Sequence, residues 1–475
     1  MNAVNPRRWQ ALIVLAAAQF MVIMDTSIIG VALPDMQRDL GFSQGDLQWV
    51  FNAYVIAFGG LLLLGGRLSD LLGARKVFVA GWAVLIAGSV VAAVAGGPAA
   101  EIAGRAVQGV GGALIAPSAM TLLMMLFGHD QRELGKAMAL YGAAAPAGGT
   151  AGVFLGGVIT EYLSWPWVFI VYIPIGLATL AAVPALLPSV QGRRGSVDIL
   201  GAVAVTAGVA LAVFAIVRAP EQSAGATTAQ AVGAAALLAL FLVVQRVVRE
   251  PLMPLRIWRT PGLATANLAM ALLGAAWIPM WYFLNLYLQQ VLGYGAFPSG
   301  AALVPMTVAI MIFMIGITAR LLGRFGAKPL IVIGLLVLAA GVAGLSLVRP
   351  DGAFASDVLP ASLVAAVGMS LAYIPAMMSA MSGARPEESG LASGIVNTTY
   401  QVGSALGLAV MTAIATSRGA AELGNLPKLT DGFHAAFIGA AAVAVVGAVL
   451  TLLLMRGRKA AAEESGRPEP SSVGA

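Results

Sequence analysis

Two ionisable residues lie deep in apolar stretches of this chain. Asp25 is the one acidic residue well inside such a stretch, and Arg105 is the one basic residue so placed, within Arg105-Ala106-Val107-Gln108-Gly109-Val110-Gly111-Gly112. A charge in hydrocarbon costs at least roughly 2.5 kcal/mol on insertion scales. A carboxyl group lowers that cost by taking up a proton, which makes Asp25 a candidate proton carrier. The plainer reading is a capping or structural aspartate near a kink. Arginine keeps its charge, so Arg105 can tune a proton site but cannot carry the proton. At 1.5 Å per residue, Asp25 lies about 12 Å from the outer end of its helix and Arg105 roughly 9 Å from the outer end of its own, which allows a shared depth. Pairing would lower both desolvation costs, and protonation of Asp25 would release Arg105 and bias a rocking bundle. A permanent structural ion pair competes with that reading.

Other constellations are less specific. Gly66-Arg67-Leu68-Ser69-Asp70-Leu71-Leu72-Gly73-Ala74-Arg75-Lys76 reads as a short turn between two apolar stretches. Its glycines permit close helix approach, and its charges could latch onto neighbouring helix ends or simply be solvated. Gly148, Gly149, Gly152, Gly156 and Gly157 form a small-residue face on which a second helix can pack backbone to backbone. Trp277, Trp281, Tyr282, Asn285 and Gln289 recur near helical spacing and combine aromatic faces with amides. With Gln108, Asn397 and Gln401 they are candidates to line a substrate cavity, although an interfacial aromatic belt explains some of them equally well.

Several chemistries are excluded. The chain has no cysteine and two histidines, His129 and His434, both expected in loops, which argues against thiolate catalysis and a Cys- or His-based metal site. Gly128 to Gly135-Lys136-Ala137 has six residues between its glycines and no Ser or Thr after the lysine, so it is no P-loop. Neither a Ser/His/Asp set nor a His/Glu metal set is available for an enzyme embedded in the bilayer. No bound cofactor is expected.

The elements that hold these residues follow from composition. Of 475 residues 59% are hydrophobic and 10% charged, against about a quarter charged in soluble domains. Long apolar runs without period-two alternation must satisfy their own backbone bonds as helices in lipid. Windows of about 20 apolar residues fall near 10–33, 47–66, 77–96, 99–125, 134–160, 166–187, 198–218, 228–248, 263–288, 298–320, 328–348, 358–382, 390–416 and 432–455. The first follows Arg7 and Arg8 and holds Ala16-Ala17-Ala18, but it runs on to Leu33, so it reads as an uncleaved span.

Placing the N-terminus inside tests the count. Of the 27 Lys and Arg residues, only Arg38, Arg218, Arg349, Arg418 and Lys428 then fall in outer loops and Arg105 inside a span; all others fall inside. A missed helix would invert every later loop and destroy that asymmetry, so fourteen spans with both termini cytoplasmic are expected. Basic residues scattered over short loops also account for the pI without a nucleic-acid patch. Arg67 to Arg75 resembles Arg320-Leu321-Leu322-Gly323-Arg324-Phe325-Gly326-Ala327-Lys328, which marks an internal repeat. The expected plan is an N-terminal six-helix bundle over 1–188, two additional helices over 189–260, and a C-terminal six-helix bundle over 261–455. A disordered tail is expected over 456–475. Repeated bundles commonly place a substrate at their interface.

Taken together, these motifs make the chain resemble the fourteen-helix drug:proton antiporter group of the major facilitator superfamily, over nearly all of its length up to about Leu454. Met24-Asp25-Thr26-Ser27-Ile28-Ile29-Gly30-Val31-Ala32-Leu33-Pro34 is similar to that group's first-helix motif, with Gly30 where asparagine is usual. Residues 66–76 match the superfamily's loop signature. Residues 105–118, ending Ala116-Pro117-Ser118, resemble its fourth-helix motif, whose arginine is associated with proton coupling. The fifth-helix antiporter motif normally carries Gly-Pro; here Gly152-Val153 stands in its place, with Gly156-Gly157 retained.

The resemblance implies a secondary transporter working as a monomer in the cytoplasmic membrane of a bacterium, driven by a proton gradient, with a small organic molecule as substrate. Relatives that export organic dications carry extra carboxylates in later helices, and 298–320 and 390–416 contain none. Neutral, zwitterionic or monovalent compounds are therefore the expected cargo. Uptake, or export of an endogenous metabolite, by the same fold remains the alternative; a channel is disfavoured because no filter sequence is present.

Overall fold

The apolar windows resolve into helices in a computed structural model describing residues 7–128, 131–189, 192, 196–219, 222–259, 262–382 and 389–455. In chain order these are α1 (Arg8–Leu40), α2 (Trp49–Leu72), α3 (Ala74–Ala93), α4 (Pro98–Phe127), α5 (Gln131–Tyr162), α6 (Trp167–Ile170), α7 (Tyr172–Leu186), α8 (Ile199–Arg218) and α9 (Ala224–Val247). The series continues with α10 (Leu263–Leu286), α11 (Ala296–Ile312), α12 (Thr318–Phe325), α13 (Ala327–Leu345), α14 (Leu359–Ser382), α15 (Ser389–Ala415) and α16 (Leu426–Leu454). The expected tail, 456–475, lies outside the described residues, as do His129, Arg193, Arg194 and Arg385.

Among the described residues, twelve helices are long and apolar enough to cross a membrane, counting α6 with α7 as one. The windows at 298–320 and 390–416 are helical as well. The first is divided: α11 gives way at Phe313–Ile317 to a π-type turn before α12. The second is α15, whose polar run Asn397-Thr398-Thr399-Tyr400-Gln401 dilutes its apolar character. The fourteen-span expectation is consistent with this arrangement. Two local expectations need correcting. His434 lies in α16 rather than a loop, with Nε2 2.5 Å from the Val348 carbonyl. The predicted turn at 66–76 shrinks to one residue, because α2 continues to Leu72 and α3 starts at Ala74.

The internal repeat is visible in both packing and turns. In the first half α1 packs along α5 and α3 along α4; in the second, α10 packs along α15 and α13 along α14. Gly73 and Gly326 occupy equivalent breaks between consecutive helices, at φ of 93° and 80°. An L side chain rarely adopts that backbone, so glycine lets the chain reverse within one residue. The halves meet where α5 runs against α11 and α2 against α15. Helices α8 and α9 pack on each other, and α8 packs against α2 and α15. Val232, Val243 and Val247 of α9 face outward, as expected of a helix that borders lipid.

Basic residues including Arg67, Lys76, Arg246 and Arg249 gather at one end of the bundle, here called the basic face; Arg38, Arg218, Arg349 and Lys428 lie at the opposite face. The seam between halves is tied at the opposite face. Gln37 Nε2 donates to Gln44 Oε1 at 2.8 Å, Gln44 Nε2 to Gln290 Oε1 at 3.1 Å, and Gln290 Nε2 to Gln37 Oε1 at 2.9 Å. This closed ring of amides joins α1 and its following loop to the π-type turn Tyr287–Val291 that follows α10.

Gly323 and Gly326 separate backbone strain from crowding, since nothing lies within 4 Å of a Cβ built at either and only Gly326 has positive φ. Gly326→Ala is expected to destabilise the protein by about 1–3 kcal/mol, whereas Gly323→Ala, within helix α12, is neutral or stabilising by up to about 1 kcal/mol. Thermal unfolding of the two purified variants checks the contrast.

Candidate functional site

Helices α1, α2, α3, α4, α6 and α7 converge on the Arg105 guanidinium, which is fully buried. Its Nη1 donates to Asp25 Oδ2 at 2.6 Å and to Gln108 Oε1 at 2.8 Å, while Nε donates to the Val50 carbonyl at 2.9 Å. The Tyr54 ring lies 4.7 Å and the Phe169 ring 5.8 Å from Cζ, so aromatic faces cover what hydrogen bonds do not. Gln108 passes the network to α3 by donating to Ser89 Oγ at 2.8 Å, and Ser89 in turn donates to the Leu85 carbonyl. Tyr54 OH is anchored on the Val22 carbonyl of α1 at 3.2 Å.

The sequence placed Asp25 and Arg105 at a common depth, and the structure joins them in a salt bridge whose side chains are 1% and 0% exposed. At such burial each charge requires the other: removing one partner leaves an uncompensated ion, while removing both can be neutral. The site is nevertheless not saturated. Asp25 Oδ1, Arg105 Nη2 and the buried Tyr172 hydroxyl have no hydrogen-bond partner.

One residue of the cluster escaped the sequence reading. Glu101 stands near the start of its apolar window, where an acid reads as a solvated helix end, yet its side chain is fully buried with neither oxygen hydrogen-bonded. The available signal was spacing: residues 101, 105 and 108 recur at i, i+4 and i+7 and so share one face of α4.

The glycine face of α5 seats the helix that carries Asp25. A Cβ at Gly148 would meet the Phe20 carbonyl oxygen at 2.4 Å, one at Gly152 the Met24 oxygen at 2.9 Å, and one at Gly156 the Ile28 oxygen at 2.7 Å. Gly149 is looser, 3.8 Å from Ser27 Oγ, and Gly157 faces α11 at Ala296. Val153, in the place of the usual proline, is buried, with its carbonyl 2.5 Å from a Cβ built on Gly300 of α11. That stretch of α5 therefore carries contacts within one half and between halves.

The loop signature makes its main contact outside both six-helix groups. Arg67 pairs with Glu250, and its Nε donates to the Ser196 carbonyl at 3.3 Å. Glu250 also accepts from the Ser196 backbone amide, and those bonds, with Arg67, hold its carboxyl below the ordinary glutamate range. Gly66 lies against Pro117 of α4; Asp70 and Lys76 are exposed and Arg75 is half-buried. The latch thus ties the end of α2 to the segments flanking α8 and α9.

The cavity candidates divide. Trp281 lies on Gly30: a Cβ there would come within 2.1 Å of its ring, so the glycine that replaces the motif's asparagine makes room for an indole from the other half. Gln289 Nε2 donates to the Val31 carbonyl at 3.0 Å, a second bridge to α1, from the π-type turn Tyr287–Val291 that follows α10. Asn285 bonds back to the Trp281 carbonyl of its own helix. Tyr282 is turned about 100° from Trp281 and is buried beside Phe283. Trp277 is buried, while Gln401 packs on Gly59 of α2, next to the Thr398 Oγ1 bond to the Gly59 carbonyl at 2.9 Å. Asn397 is half-buried on the same helix. Gln108 belongs to the Arg105 network.

Comparison with known proteins gives consistent matches. The profile of the Major Facilitator Superfamily matches residues 15–408. The chain is 39% identical over 450 residues to the cephamycin export protein of Amycolatopsis lactamdurans, covering 94% of this chain and 92% of that one. It is 36% identical to the puromycin resistance protein of Streptomyces alboniger, covering 97% and 94%. Among solved structures, the nucleoside transporter NupG superposes with a TM-score of 0.67 at 14% identity, covering 94% of this chain and 99% of that one. That likeness carries the fold.

Arg105→Met strands the Asp25 carboxylate and is expected to destabilise the protein by about 3–5 kcal/mol. Adding Asp25→Leu is expected to recover part of the loss, because the stranded charge is then gone. Denaturant unfolding of wild type, both single variants and the double variant measures the coupling, and additive effects would show that the pair does not support the fold.

Proposed function

The chain belongs to the Major Facilitator Superfamily, and from that membership and the buried Asp25–Arg105 pair we propose that it exports small, antibiotic-like organic compounds in exchange for protons. The setting is a bacterial cytoplasmic membrane, with both termini inside, and the working unit is one chain. The substrate class is supported by relatives named for cephamycin export, puromycin resistance, and tetracenomycin C resistance and export. The ion pair carries the proton-coupled part. No bound cofactor is needed, because the proton gradient supplies the energy.

Protonation of Asp25 removes the charge that holds Arg105 Nη1, so the link between α1 and α4 changes when a proton arrives. Helix α1 is also the bridge to the second half, through Gly30 against Trp281 and the Gln289 bond to Val31. A shift of α1 on the glycine face of α5 is therefore felt at the seam between halves, where alternating access must act. Trp281, Asn397 and Gln401 offer an aromatic face and amides to a substrate entering that seam. The spans at 298–320 and 390–416 contain no carboxylate, which favours neutral, zwitterionic or monovalent cargo over dications.

One pH unit is worth about 1.4 kcal/mol per proton, a tenfold concentration ratio. Inside-out vesicles with an interior one unit more acid than the medium are expected to accumulate labelled puromycin or a labelled cephamycin about tenfold, for one proton per neutral molecule. Asp25→Asn vesicles are expected to show none. Normal accumulation by Asp25→Asn would remove Asp25 from coupling, and accumulation only under an inverted gradient would mean symport.

A further inference from the structure

We infer that Glu101 is a second proton site of the same cluster, so that Asp25 and Glu101 share one proton and Arg105 pairs with whichever carboxyl lacks it.

Charge counting carries the first step. Among the described residues, the buried cluster holds one fixed positive charge and two carboxyl groups, together with the hydroxyls of Tyr54 on α2, Tyr172 on α7 and Ser89 on α3. One guanidinium compensates one carboxylate, and in the structure that carboxylate is Asp25. A second carboxylate in the same desolvated space, with neither oxygen bonded, would stand uncompensated. Glu101 therefore holds the proton while Asp25 holds the arginine.

Geometry carries the second step. Glu101 precedes Arg105 by one helical turn on the same face of α4, about 6 Å nearer the opposite face, and side chains four residues apart on a helix are neighbours. Glutamate four residues before a basic residue is the favourable order for a helical ion pair. Arg105 Nη2 has no partner, so the guanidinium has a donor to offer Glu101. Glu101 also lies in the first turn of α4, where the helix dipole supports an ionised carboxylate, while forming no cap with a backbone amide.

The proton balance is closed. When the proton passes from Glu101 to Asp25, the O–H bond of one carboxyl breaks as that of the other forms, the guanidinium turns from Asp25 to Glu101, and the net charge stays at zero. Discharge of Asp25 toward the basic face lets Arg105 return, and Glu101 then takes the next proton from the opposite face. Glu101 is in this way the entry site and Asp25 the exit site. The inference rests on the proton-coupled reading of the pair, which fails if Asp25→Asn transports normally; its own test reads protonation without transport.

That test is the infrared stretch of a protonated carboxyl in the purified full-length protein at neutral pH. A buried-carboxyl band is expected in wild type, shifted when glutamate alone is labelled with ¹³C and lost in Glu101→Gln. The label assigns the band in the unmutated chain even if that variant folds poorly. In Asp25→Asn the same band is expected to disappear, because Arg105, no longer held by a charged Asp25, ionises Glu101. A band that ignores the glutamate label overturns the assignment, and one that persists in Asp25→Asn shows a static protonated glutamate and overturns the relay.

Discussion

The desolvation of two opposite charges governs this molecule. Asp25 and Arg105 have been taken out of water completely, and neither can stay so as an ion without the other. Six helices are arranged to make that tolerable: α1 brings the carboxylate, α4 the guanidinium, α2 a carbonyl and a ring, α3 a hydroxyl relayed through Gln108, α6 a second ring and α7 a further hydroxyl. A single proton changes the terms. Once Asp25 is neutral, the reason for Arg105 to remain in place is gone, and an interaction that stabilised one arrangement is available to stabilise another.

In the proposed exchange, close packing is what gives that local event a direction. Helix α1 lies against α5 with almost no side-chain volume between their backbones, at Gly148, Gly152 and Gly156, so it can shift along α5 but cannot easily move off it. It also touches the second half through Gly30 and Val31. Glycine at position 30 leaves the space that the Trp281 ring fills. At the opposite face the ring of Gln37, Gln44 and Gln290 holds the halves together with neutral, hydrogen-bonded groups that can part without stranding a charge.

Much of this was legible in the sequence because lipid leaves few choices. Hydropathy marked the spans. The rarity of charge within them singled out Asp25 and Arg105, and the repeat at 67–75 and 320–328 reappears as two one-residue turns at Gly73 and Gly326. What the sequence hid depends on position relative to a helix end or on a partner far along the chain. Glu101 stands near the start of its apolar window, and hydropathy does not show that α4 begins under the cover of neighbouring helices. The partner of Arg67 is Glu250, 183 residues away, and no local pattern announces it. Tyr282 shares a span with Trp281 but not its face, a distinction that spacing could have made and type alone could not.

The central claim is that substrate and proton move in opposite directions through one device built on Asp25. The direct measurement is the proton flux driven by substrate: proteoliposomes containing a pH indicator, with no initial proton gradient, given a gradient of whichever compound the wild-type vesicles accumulate. Protons are predicted to move against the direction of that compound in wild type and not to move in Asp25→Asn. Protons travelling with it, or an undiminished flux in Asp25→Asn, would contradict the claim.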